Sequence, residues 1–102
     1  MKILIILLFL MISQNAFGQT FPIQIDGRIG KFWVVQNDVI VELDASGPCG
    51  SIYYRVLRSA ANFQEMVAVL LTAAGSGKPV RLELSQCSGN ENIVSHGAAV
   101  FF

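Results

Sequence analysis

Cysteine and histidine are scarce in this 102-residue chain, which has two of the first and one of the second. Zinc sites need three or four Cys, His or carboxylate ligands at characteristic spacings, and thiol redox centres need closely spaced pairs. Neither set is present, so no metal and no cofactor is expected. Charge of one sign is also lacking: seven basic side chains face seven acidic ones, and six face seven once Lys2 is set aside. A phosphate backbone is held by counterion release to a positive field, which disfavours nucleic acid as a partner. Long hydrophobic runs are confined to one, residues 3–12, which is well short of the roughly 20 residues that span a hydrocarbon core. The chain is too short for two ordinary domains and shows no internal repeat, linker or low-complexity tract.

The one apolar run follows Met1-Lys2 and ends in Ser13-Gln14-Asn15-Ala16-Phe17-Gly18, with small residues at the −3 and −1 positions of a cleavage site. This pattern reads as a secretory signal peptide over residues 1–18, leaving one domain over residues 19–102 that starts at Gln19. The expected location is periplasmic or secreted, with no stable membrane insertion after cleavage. About half of the remaining residues are hydrophobic, an ordinary globular value. Cys49 and Cys87 are then the only two thiols in an exported chain, where a disulfide persists. A bridge closing about 39 residues removes roughly 4 kcal/mol of denatured-state entropy by the loop-closure relation. A domain this small buries only a little over about 60% of its unfolded surface, so the staple matters.

Residues 19–26 mix polar and apolar side chains around Pro22 and read as an irregular lead-in. Residues 27–35 are rich in strand formers and end at the turn cluster Gln36-Asn37-Asp38. Val39, Val41 and Leu43 alternate with Ile40, Glu42 and Asp44, which predicts a strand with one apolar face and a hairpin with the run before it. Residues 51–58 give a third strand, with Ile52, Tyr54 and Val56 on one face and Tyr53, Arg55 and Leu57 on the other. From Asn62 the period changes. Phe63, Met66, Val67, Leu70, Leu71 and Ala74 follow helical spacing, Asn62 suits the N-cap and Gly75 the exit. Residues 80–87 and 93–102 are a fourth and a fifth strand, separated by a loop over residues 88–92.

The expected fold is therefore mainly β, in the order βββαββ: a five-stranded Greek-key barrel like the oligonucleotide/oligosaccharide-binding (OB) fold, with its helix between strands three and four. The alternative is an open α+β sheet carrying one helix.

No catalytic residues are expected. Gly75-Ser76-Gly77-Lys78 looks like part of a phosphate-binding loop, but no Ser or Thr follows the Lys and the segment leaves a helix instead of opening one. Ser95 and His96 are neighbours on a strand and point to opposite faces, so they form no nucleophile–base couple. The carboxylates show no spaced pair. The suggestive constellation is Trp33, Tyr53, Tyr54 and Arg55, of which Tyr53 and Arg55 share the displayed face if Tyr54 fills the core, with Asn90 and Asn92 in the adjacent loop. Aromatic faces beside a forked donor suit a sugar, above all an acidic one.

The signal peptide, the Cys ahead of a Tyr-containing third strand, the helix Phe63-Gln64-Glu65-Met66-Val67-Ala68-Val69-Leu70 and the entry Ser76-Gly77-Lys78-Pro79-Val80-Arg81-Leu82 resemble the small binding subunits of subtilase- and pertussis-type bacterial toxins. That resemblance implies a non-enzymatic protein that forms a homo-oligomeric ring, binds a cell-surface glycan and accompanies a separate catalytic subunit. It assigns no site residue. The expected function is thus an exported binding module, the alternative being a stand-alone periplasmic protein with a structural or inhibitory role.

Overall fold

The computed structural model describes residues 20–102. The signal peptide expected over residues 1–18, and the start at Gln19, lie outside the described residues. Among the described residues there are six strands and one helix: β1 (Ile23–Gly27), β2 (Ile29–Val35), β3 (Asp38–Leu43), β4 (Tyr53–Val56), α1 (Phe63–Ser76), β5 (Val80–Ser88) and β6 (Glu91–Val100). They form one sheet in the order β1-β5-β6-β4-β3-β2, antiparallel throughout except for the parallel pair β4 and β6. The structure is mainly β.

Two expectations are corrected. The sheet has six strands instead of five, because residues 23–26, expected to be irregular, form a strand with Gly27 that pairs with β5 from Ile23 opposite Leu84 to Gly27 opposite Val80. It is also an open sheet and not a closed barrel, since β1 and β2 stand at the two ends of the hydrogen-bonded order. Arg28 alone separates these end strands in the chain, and neighbouring Cα atoms are about 3.8 Å apart, so the sheet curls until its two edges approach at that residue. Asp44 holds the corner: its Oδ1 accepts the Arg28 N–H at 2.8 Å, and its own N–H donates to the Arg28 carbonyl at 3.1 Å.

The inside of the curl is the core. Val39, Val41 and Leu43 of β3 meet Tyr54 and Val56 of β4, Val80, Leu82 and Leu84 of β5, Val94 of β6, and Met66, Leu70 and Ala73 of α1. Period-two strands and a helical stripe thus supply one cluster, as hydrophobic burial requires. The helix runs two residues past the expected exit at Gly75 and stops at Gly77, whose φ of 68° ends it in the left-handed region open to glycine. Asn62 stands at the N-cap position without capping, because its amide donates to the His96 carbonyl at 3.4 Å instead.

Two tight turns aim the strand ends. Val35 pairs with Asp38 around Gln36 and Asn37, both at positive φ, which matches the twist of the hairpin. Ser88 pairs with Glu91 around Gly89-Asn90, so the loop expected over residues 88–92 shrinks to two residues.

Candidate functional site: the outer face of the sheet

Because side chains alternate, the residues between the core positions of β3 and β4 point outward. Register then assembles two rows across the outer face: Trp33, Ile40, Arg55 and Ile93 in one, Lys31, Glu42 and Tyr53 in the other. Trp33 and Tyr53 meet edge to face, with ring centroids 6.0 Å apart and planes at 85°, a favoured aromatic arrangement. Tyr53 is exposed. The Lys31 Nζ sits 4.7 Å from the centre of the Trp33 ring, within cation–π range. Ile40 and Ile93, beside Trp33 and Arg55 in the row, are buried at 4% and 2% exposure, so the outer face has an apolar floor of its own.

Arg55 is not a free fork. Its Nε and Nη2 donate to the two carboxylate oxygens of Glu91 at 2.9 and 3.3 Å, and Nη1 donates to Asp38 at 3.1 Å. Asp38 also accepts the Arg58 backbone N–H at 2.9 Å. The bonds to Glu91, then those to Asp38, raise the affinity of the guanidinium for its proton against the opposing effect of burial. Lys31 is a member of this surface that sequence reasoning missed, and so is the part that Asp38 and Glu91 play in holding Arg55. The acids stand 17 and 36 positions from Arg55, and only the strand order brings them together.

The two asparagines part company. Asn90 lies exposed in the β5–β6 turn. Asn92 is fully buried at the start of β6, where its Oδ1 accepts the Cys49 N–H at 3.0 Å and its Nδ2 donates to the Ser51 and Tyr53 carbonyls at 3.1 and 2.9 Å. It shapes the chain that delivers Tyr53 and offers nothing to a surface ligand. The same segment is tied down by the Cys49–Cys87 disulfide, with Cα atoms 5.5 Å apart, and by the Tyr54 hydroxyl donating to the Ala45 carbonyl at 2.8 Å. Burial pushes the Tyr54 phenol up to about 12.

Elsewhere, the Ser95 hydroxyl hydrogen-bonds that of Ser85 at 2.6 Å, while His96 is exposed on the next position. Gly75-Ser76-Gly77-Lys78 lies at the end of α1. A surface cavity of about 370 Å³ at the start of α1 is lined by Arg58, Ala60, Ala61, Phe63, Gln64 and Glu65, and no outer-face residue lines it. Among the described residues no three His, Cys, Asp or Glu side chains are grouped to hold a metal, and no helix is long and apolar enough to cross a membrane. No protein-family model, curated protein or solved structure matches the chain.

Proposed function

We propose that this chain is an exported, non-enzymatic binding module that holds a carbohydrate on the outer face of its sheet, with Trp33 and Tyr53 as the platform. The observation that carries the reading is the edge-to-face pair itself, fixed by two strands on either side of β3 and presented on an open face. Sugar rings offer C–H faces that pack on aromatic rings and hydroxyls that need donors and acceptors. Both are at hand: the aromatic pair supplies the first, and Lys31, Glu42 and the Tyr53 hydroxyl the second.

Topology supports an OB-like reading of the finer architecture. If β1 and β2 are the two halves of one bent strand, the chain has five strands with its helix between the third and fourth, in the partly open form of that barrel. In that fold type the second and third strands present the ligand face, which here are β3 and β4. The disulfide accords with an oxidising compartment and with the leader-like residues 1–18. The resemblance to toxin binding subunits adds a ring of copies and a separate catalytic chain to the proposal.

A glycan array probed with the purified mature protein, with native mass spectrometry of the same sample, tests the reading. Saturable retention of a glycan supports it. A folded protein that retains none refutes it, and a ring that dissociates on Tyr53→Ala substitution would reassign this face to assembly.

A further inference from the structure

The outer face carries Lys31 and Arg55 against Asp38, Glu42 and Glu91, so acids outnumber bases around the aromatic pair. Lys31 lies over Trp33, and three of the Arg55 donor positions are taken by Asp38 and Glu91. A carboxylate, sulfate or phosphate on a ligand must either use the two N–H donors left over, beside two carboxylates already bound to the same guanidinium, or displace one of these acids. The exchange replaces one charge-assisted pair by another and leaves the displaced carboxylate unpaired beside the incoming anion. A neutral sugar meets no such cost: the carboxylate oxygens of Asp38 and Glu91 keep lone pairs that accept sugar hydroxyls.

Resting on the reading of Trp33 and Tyr53 as the ligand platform, we infer that this face selects neutral over anionic sugars, and that Asp38 and Glu91 set the selection by occupying Arg55. This reverses the preference for acidic sugars expected from an open aromatic–arginine pair. Specificity of this kind works by repulsion: the unfavoured ligand is met by like charge.

The test is an array carrying neutral glycans beside their sialylated, sulfated and uronate counterparts, probed with the wild-type protein, Glu91→Gln and Tyr53→Ala. Neutral members should be retained about tenfold more strongly than their acidic counterparts at low salt, with the gap narrowing as salt screens the charges. Glu91→Gln removes one acid and leaves Arg55 half engaged, so the ratio should move toward the acidic members; thermal melts of both variants establish that they are folded. Acidic members retained as strongly as neutral ones, or a ratio that Glu91→Gln does not move, overturns the selection and leaves the platform standing. Binding that survives Tyr53→Ala, or no glycan retained at all, overturns the platform and the inference with it.

Discussion

Replacing Asn92 by Ala should destabilise the domain by about 2–3 kcal/mol, although Asn92 belongs to neither the hydrophobic core cluster nor the proposed ligand platform. Three hydrogen bonds disappear: one from the Cys49 N–H and two to the Ser51 and Tyr53 carbonyls. The Ser51 carbonyl still accepts the Gly47 N–H at 2.9 Å, so its loss is partial. Each buried bond removed with its partner left in place costs about 1 kcal/mol or somewhat more, which gives the total. Against the roughly 5–15 kcal/mol that holds a small domain together, this is a large fraction. Urea unfolding with the disulfide intact, followed by the emission of Trp33, should show a midpoint lower by about 2–3 M if m is about 1 kcal/mol/M, with m itself unchanged. Asn92→Asp is the sharper probe, since it keeps the acceptor for the Cys49 N–H but turns an acceptor toward two carbonyls, and it should be at least as damaging. Gly47 adds a cross-check: a Cβ there would collide with the Asn92 carboxamide, so Gly47→Ala should destabilise the wild type and cost little in the Asn92→Ala background. A shift below about 0.5 kcal/mol for Asn92→Ala, or strict additivity with Gly47→Ala, would refute the reasoning.

Two further outcomes are expected. The Tyr54 phenol titrates near 12 in the folded chain against about 10 unfolded, so its contribution to stability is complete below pH 10 and is lost as pH rises through 12, at up to about 1.4 kcal/mol per pH unit; Tyr54→Phe should remove this alkaline slope while costing about 1 kcal/mol at neutral pH through the lost bond to Ala45, and an identical slope in both proteins would contradict the assignment. Replacing both Cys49 and Cys87 by Ala, with a sequence separation of 38, should lower stability by roughly 4 kcal/mol at most, read from urea midpoints, and an unchanged midpoint would show that the loop needs no staple.

The elements legible in the sequence are those whose pattern is local. Alternation over residues 39–44 placed Val39, Val41 and Leu43 inside, and the spacing of Phe63, Met66, Val67 and Leu70 placed that helical face on the core, whereas Leu71 and Ala74, expected on the same stripe, are exposed and Ala73 is buried in their stead. Ile23 and Ile25 alternate with Gln24 and Asp26 just as clearly, yet Pro22 and the polar neighbours made the segment look irregular; its pairing with β5 depends on chain some 55 residues away, as the Asp26–Arg81 ion pair shows. The helix end moved from Gly75 to Gly77 because either glycine can leave a helix, and φ is positive only at the second. Side-chain alternation correctly put Tyr53 and Arg55 on the face opposite Tyr54 and Val56. It could not reveal that Asp38 and Glu91 converge on Arg55, nor that Asn92 would be enclosed by residues 47–53. Asp38 comes to Arg55 through the β3–β4 register, but Glu91 and Asn92 arrive through the parallel pairing of β4 with β6, which leaves no periodic mark in either strand.

The central claim is that a sugar rests on Trp33 and Tyr53, and the chain offers a direct reporter, because Trp33 is its only tryptophan. Its indole N–H therefore gives a single, readily identified cross-peak in a ¹H–¹⁵N correlation spectrum of the mature protein. Titration with the neutral glycan most strongly retained on the array should move that cross-peak saturably, together with backbone signals of β3 and β4, and the shift should vanish in Tyr53→Ala. An indole cross-peak that stays in place while signals around the start of α1 move would put the ligand elsewhere and contradict the account.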